Sequence, residues 1–218
     1  MRKQSGNVLF LILIAVVLFA ALSYAVTQSS RGGGNADSEA TKIAVSEAIN
    51  YVSAVRTAIT RMKIAGVDND NFCFDHTSWG HTDYNHAACA DNTTQVFHAD
   101  GGGVAWSNPP QGINDGTPWL FNGNNRIPNV GTTALELTMI LPNVTEEACR
   151  EFSEAVGEGG SVKYDPDFFN VTNRFAGSYG PTTVATDGSS YDFCVQASTT
   201  GGGAIAGSYH FFATLIAR

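Results

Sequence analysis

The strongest hydrophobic pattern in the chain is an apolar run over residues 8–26, interrupted only by Ser23. A helix needs about 20 residues at 1.5 Å each to cross the hydrocarbon core of a bilayer, where backbone polar groups find no outside partner. Arg2 and Lys3 precede the run, and positive charge favours the cytoplasmic side. The pattern therefore predicts one membrane-spanning helix, with the rest of the chain outside.

A second helix is predicted over residues 36–64, after a glycine-rich break at residues 32–35. Glycine costs roughly 1 kcal/mol relative to alanine in a helix interior, so this run is expected to act as a hinge. Apolar residues then recur at helical spacing. They are Ile43, Ala48, Val52, Val55, Ile59 and Met62. This stripe is expected to pack on a sheet of the same domain.

Four later segments place their apolar residues at the spacing of a strand or a helix. Residues 133–141 place Leu137 and Met139 on one face and Glu136 and Thr138 on the other, which predicts a half-buried strand that Pro142 ends. Residues 146–156 predict a short helix. Residues 190–198 and 209–217 predict two strands that pair antiparallel. Residues 67–131 are rich in turn residues and predict long loops. The predicted fold class is α+β, with the amphipathic helix on an antiparallel sheet.

Charge restricts the possible partners. The 218 residues carry 12 basic and 20 acidic side chains, a net charge of −8. Three of the basic residues lie in the N-terminal segment, which leaves nine to balance all 20 acidic ones beyond residue 31. Nucleic-acid binding depends on Lys and Arg at phosphates, so we expect no nucleic-acid partner.

The four cysteines are even in number and form no CxxC motif, which favours two disulfides in an exported domain. We expect Cys73 to pair with Cys89 across a polar loop. Cys149 would then pair with Cys194 and tie the short helix to the sheet. Four cysteines allow three pairings, and the sequence alone does not choose between them.

The N-terminus carries a resemblance to a known family. Lys3-Gln4-Ser5-Gly6 forms a short basic leader that runs directly into Asn7-Val8-Leu9-Phe10-Leu11. This resembles the class III leader of type IV pilins and of the pseudopilins of type II secretion. The resemblance covers about the first 30 residues and implies that a prepilin peptidase cuts between Gly6 and Asn7 and methylates Asn7.

The sequence departs from the pilin pattern at two positions. The mature chain would begin with Asn7, where pilins have Phe or another apolar residue, and Leu11 stands where they have Glu. In lacking this Glu, the sequence resembles some minor, tip-located pseudopilins more than a major subunit. Two other interpretations remain open: a secretory signal removed after Ala25, since Ser23 and Ala25 are small residues at suitable spacing, or an uncleaved one-pass anchor.

The pilin-like interpretation gives four segments. These are a leader at residues 1–6, a transmembrane and filament-core helix at 7–31, the glycine hinge at 32–35 and an exported head at 36–218. It implies a structural subunit that resides in the inner membrane as a single-pass protein and then enters an extracellular or periplasmic filament. Self-assembly would run through the N-terminal helix. The alternative is a secreted or tethered binding module, whose Trp-, His- and Asn-rich loops contact a sugar, an ion or a protein.

Candidate chemistry is sparse. His76, His81 and His86 occur with Asp75 and Asp83 between two cysteines, a set that suits zinc or copper in type but not in spacing. Residues 68–71 offer oxygen ligands of the kind that Ca²⁺ prefers, without the glycine and glutamate of an EF-hand. Asn92, Asn143 and Asn170 begin Asn-x-Thr triplets. No GxSxG, HExxH, P-loop or Rossmann motif occurs, so we predict no enzyme, no metal and no cofactor.

Overall fold

A computed structural model describes residues 6–29, 33–76, 83–165, 169–180 and 190–218. The chain divides into two compact units, Met1–Ala40 and Thr41–Arg218. The helices are α1 (Gly6–Ser29), α2 (Gly33–Ile64) and α3 (Glu146–Ala155). The strands are β1 (Leu120–Asn125), β2 (Glu136–Val144), β3 (Lys163–Asp165), β4 (Asp192–Ala197) and β5 (Tyr209–Ile216).

The N-terminal helix requires a correction to the predicted fold. No helix within the described residues is both long and apolar enough to cross a membrane. The predicted membrane-spanning helix was therefore wrong for the described residues, and the single-pass inner-membrane anchor predicted with it is not supported.

The second helix begins earlier than predicted and buries a slightly different face. Gly33 is its first residue, so part of the predicted glycine hinge is helical. Within the second unit its buried apolar positions are Val45, Ala48, Val52, Val55, Ala58, Ile59 and Met62. Ile43 is 68% exposed because it lies two residues, or about 200°, from Val45 on the helix. Its predicted place in the buried stripe was wrong.

The five strands form one mixed sheet in the order β1-β2-β5-β4-β3. The pairs β1–β2, β2–β5 and β4–β5 are antiparallel, and the predicted pairing of the last two strands is confirmed. The short edge strand β3 pairs parallel with β4, so the predicted purely antiparallel sheet was wrong. The sequence also gave no indication of β1, which lies in the segment predicted to be loop.

Strand β2 is buried on both sides, contrary to the predicted half-buried strand. Leu137 and Met139 belong to one hydrophobic cluster, while Ile140 belongs to a second cluster on the other face. Glu136 and Thr138, expected to face solvent, are fully buried. Pro142 lies inside the strand, where the β2–β5 register shifts. Proline is tolerated at such an irregularity because the ladder there needs no N–H donor.

Helices cover one face of the sheet. The larger cluster joins the buried face of α2 to α3 and to inward residues of β2 and β5. Phe152 of α3 stacks on Phe211 of β5 with ring centroids 4.1 Å apart. Loops cover the opposite face, where Phe193 and Phe212 stack at 5.3 Å. The two-sided core explains why the strands show little polar alternation.

Two disulfides close the second unit. They join Cys73 to Cys89 and Cys149 to Cys194, the two pairs favoured above. The second bond ties α3 to β4. Structural disulfides persist in oxidising surroundings, so they indicate that the chain resides in an oxidising compartment.

Candidate functional site

Helix α1 presents an apolar surface on every side. The large side chains described from Phe10 to Tyr24 are between 41% exposed, at Ile14, and 74% exposed, at Phe19. Successive helix positions point about 100° apart, so exposure at each position from Phe10 to Ile14 covers the whole circumference. A helix that is apolar all round is stable only when other apolar groups cover it.

The sequence of α1 explains this property. Its 24 residues include no charged side chain, and its few polar residues do not define a face. Leu11, at the position where pilins carry Glu, is among the exposed apolar residues. The surface of α1 can therefore pack against other apolar surfaces, but it carries no charges that would fix how neighbouring helices align. Gly6 and Asn7, the predicted processing residues, are the first two residues of this helix.

The two aspartates of the predicted histidine and aspartate group contact other side chains. Asp75 accepts a hydrogen bond from Asn85 at 3.0 Å. Asp83 pairs with Arg174 at 3.4 Å. His81 lies outside the described residues. The two described carboxylates thus have protein partners of their own.

His76 instead lines a cavity of about 240 Å³. Its other lining residues are Asp75, Gln95, Phe97 and His98. His98 is 22 positions from His76 in sequence, and no motif links the two. The approach follows from the backbone bridge between Cys73 and Gln95, which brings the two segments together.

A different group, at the first disulfide, places three ligand-type atoms close together. The sulfurs of Cys73 and Cys89 and a ring nitrogen of His86 all lie within 4.8 Å of one another. His86 Nδ1 is 3.1 Å from Cys89 Sγ. Among the residues that the structure describes, its buried Nε2 has no hydrogen-bond partner, and burial lowers the pKa of the imidazole below its usual value. Sequence spacing alone did not separate His86 from its neighbours.

The oxygen-rich segment at residues 68–71 serves a turn. The Asn71 N–H donates to the Asp68 carbonyl at 3.0 Å, and the Tyr179 hydroxyl donates to the Asn69 carbonyl at 3.1 Å. Asp70 pairs with Arg218 at 4.0 Å. These contacts fix the segment against the C-terminal end of the chain.

The three Asn-x-Thr asparagines have different surroundings. Asn92 is exposed. Asn143 donates its amide to Asp115 at 2.9 Å. Asn170 belongs to a polar network under β1, where Asn122 Nδ2 donates to Asn170 Oδ1 at 3.0 Å and Asn125 Nδ2 donates to the Asn170 carbonyl at 2.9 Å. The buried Asn122 and Asn125 were not found from sequence, because short polar residues there resemble loop.

Comparison with known proteins adds no family. The chain matches no protein-family model, no curated protein and no solved structure.

Proposed function

We propose that this chain is a structural subunit of a type IV pilus-like or pseudopilus-like filament. Copies of α1 pack together along the filament core, and the acidic second unit is displayed outside. The observation that carries the proposal is the apolar surface of α1, which is exposed on all sides over residues 10–24. Burying one large aliphatic side chain contributes about 2 kcal/mol, so several such contacts per subunit suffice for stable assembly.

Two further features support a filament role. The disulfides suit an exported head in an extracellular or periplasmic filament. The excess of acidic over basic residues in that head gives its copies like charge, so they repel one another where they are not held by α1. Assembly then depends on the helix rather than on the head.

Processing at the N-terminus is part of the proposal. The Lys3-Gln4-Ser5-Gly6 leader favours a prepilin peptidase as partner, with cleavage before Asn7 and methylation of the new N-terminus. Intact mass and N-terminal sequencing of protein from its natural source test this step. A start at Asn7 with one additional methyl group is expected. A start at Val26 removes most of α1 and would overturn the filament proposal.

Assembly itself is tested with a matched pair of substitutions. Leu18 in α1 and Ile205 in the second unit are exposed to nearly the same extent, 63% and 66%. Leu18→Gln is expected to weaken self-association of the mature protein at least tenfold, because each subunit loses one buried leucine. Ile205→Gln is expected to leave it unchanged. Sedimentation velocity and electron microscopy of filaments provide the measurement, and equal behaviour of the two variants would contradict the proposal.

A second candidate function is that of a binding module, favoured by the cavity at His76 and His98. Imidazole, carboxylate and amide groups surround an aromatic floor there, an arrangement that suits a small polar ligand. A secreted protein that starts at Val26 and stays monomeric at high concentration would favour this function. Mass spectrometry and sedimentation therefore separate the two candidates.

A further inference from the structure

The loop closed by the first disulfide contains a metal-ligand side chain, His86, beside the two bonded cysteines. A nitrogen of His86 lies beside the bonded sulfurs, and no described residue makes a hydrogen bond with the opposite ring nitrogen. Cys73 is fully buried and Cys89 almost fully buried. Two thiolates and one imidazole are a ligand set that zinc uses in proteins, with a fourth position left for a solvent molecule.

We propose that the reduced form of this loop binds one Zn²⁺ ion through the sulfurs of Cys73 and Cys89 and through His86 Nδ1. The disulfide and the metal are then alternative closures of the same loop. The metal form belongs to the chain before oxidation or after reduction, and the disulfide form to the oxidised chain. This inference concerns the head and does not depend on filament assembly.

The backbone holds both cysteines in place without the sulfur–sulfur bond. The Cys73 N–H donates to the Thr94 carbonyl at 3.0 Å, and the Val96 N–H donates to the Cys73 carbonyl at 2.9 Å. The side chain of Gln95 donates to the Cys89 carbonyl at 2.8 Å. The sulfurs therefore stay close when the bond between them is reduced.

The position of His86 is also fixed by its surroundings. The Cys89 N–H donates to the His86 carbonyl at 2.9 Å, which places the two side chains on the same short turn. Gly177 leaves the space that the imidazole occupies, since a Cβ at Gly177 would lie 2.3 Å from His86 Cδ2.

Conversion of the disulfide form into the zinc form takes two steps, reduction and metal binding. A dithiol reductant transfers two electrons and two protons to the disulfide, which gives two cysteine thiols and an oxidised, disulfide form of the reductant. Zn²⁺ then displaces one proton from each thiol, so two protons are released for each ion bound. Two thiolates neutralise the charge of the ion, which keeps the cost of burying the complex small.

The test uses the full-length protein in a nonionic detergent that covers α1. The protein is reduced with a phosphine under anaerobic conditions, freed of reductant and titrated with Co²⁺, whose thiolate complexes absorb visibly, and then with Zn²⁺. One Co²⁺ per chain is expected, displaced by one Zn²⁺, and no such absorption in the oxidised protein. His86→Ala is expected to weaken binding at least tenfold, and Cys73→Ser to abolish the band.

A matched control separates this group from the neighbouring histidine. His98→Ala removes an imidazole that lies outside the three-atom group and is expected to leave the affinity unchanged. Near-ultraviolet circular dichroism during the titration follows the fold of the reduced head. The proposal is overturned if the reduced head unfolds, if no thiolate band forms, or if the band is as strong in His86→Ala or Cys73→Ser.

Discussion

Among single residues, His210 in β5 is a buried titratable side chain with hydrogen-bond partners at both ring nitrogens. It is fully buried, and the Asn143 N–H donates to its Nδ1 at 3.4 Å. The Ser208 hydroxyl donates to the Ile205 carbonyl, so its oxygen accepts from His210 Nε2–H at 2.7 Å. Both ring nitrogens therefore have partners that fit the neutral imidazole with its proton on Nε2. Burial lowers the pKa of His210 to about 4, against a smaller opposing effect of Asp115.

This environment predicts loss of stability in mild acid. The unfolded chain binds a proton at His210 below a pKa of about 6.5, whereas the folded chain does so only near pH 4. Stability is therefore present above pH 6.5 and is lost as pH falls towards 4, by about 3 kcal/mol from this residue. In urea denaturation between pH 7 and pH 4, the free energy of unfolding should fall less steeply with decreasing pH for His210→Gln than for the unsubstituted protein. Identical slopes for both proteins would exclude His210 as the cause.

Between elements, an ion pair joins α2 to the sheet. Arg56 Nη2 lies 2.5 Å from Asp192 Oδ1 of β4, and Arg56 Nε donates to the Thr214 carbonyl of β5 at 3.0 Å. Asp192 also accepts from the Thr214 N–H at 3.2 Å. The pair is partly buried and links three elements.

Removal of the carboxylate is expected to be costly. Asp192→Ala removes the only anionic partner described for the partly buried Arg56 guanidinium, which should lower the free energy of unfolding by about 2 kcal/mol. Arg150 and Glu146 form an exposed pair within α3 at 2.8 Å and serve as the control. Arg150→Ala should hardly move the urea midpoint, because exposed pairs contribute little. A similar shift in both variants would refute the distinction.

The two disulfides should contribute unequally because their loops differ in length. The bonded cysteines are 16 residues apart in the first disulfide and 45 in the second. Chain entropy predicts a loss of about 3 kcal/mol for Cys73→Ala/Cys89→Ala and about 4 kcal/mol for Cys149→Ala/Cys194→Ala. Denaturant unfolding of the two double variants checks the order. The reverse order would show that contacts in the folded protein, rather than loop length, dominate.

For the whole molecule, the division at residue 40 predicts separable properties. The second unit contains the complete sheet, both disulfides and the main hydrophobic cluster. Deletion of residues 1–40 is therefore expected to keep both disulfides and the cooperative unfolding of the head. The same deletion should abolish self-association, because it removes α1. A truncated protein that still assembles would place the assembly surface in the head and contradict the filament proposal.

Local sequence determined the elements whose signals lie within a few residues. The apolar run made α1 a helix, and the Thr145 side chain caps α3 by accepting from the Ala148 N–H. The alternation of apolar and polar residues predicted most of β2, β4 and β5. The two favoured cysteine pairs are those that the structure contains, although the sequence alone allowed three pairings.

Tertiary packing decided what the local pattern could not. Strand β1 and the burial of Glu136 depend on loops that cover the second face of the sheet, and those loops come from distant parts of the chain. The approach of Cys73 to the turn that holds His86 and Cys89 likewise depends on the backbone contact between Cys73 and residues 94–96. Periodicity reports how a residue relates to its near neighbours along the chain. Burial from both sides and the convergence of ligand atoms depend on contacts between segments far apart in sequence, so only the folded structure reveals them.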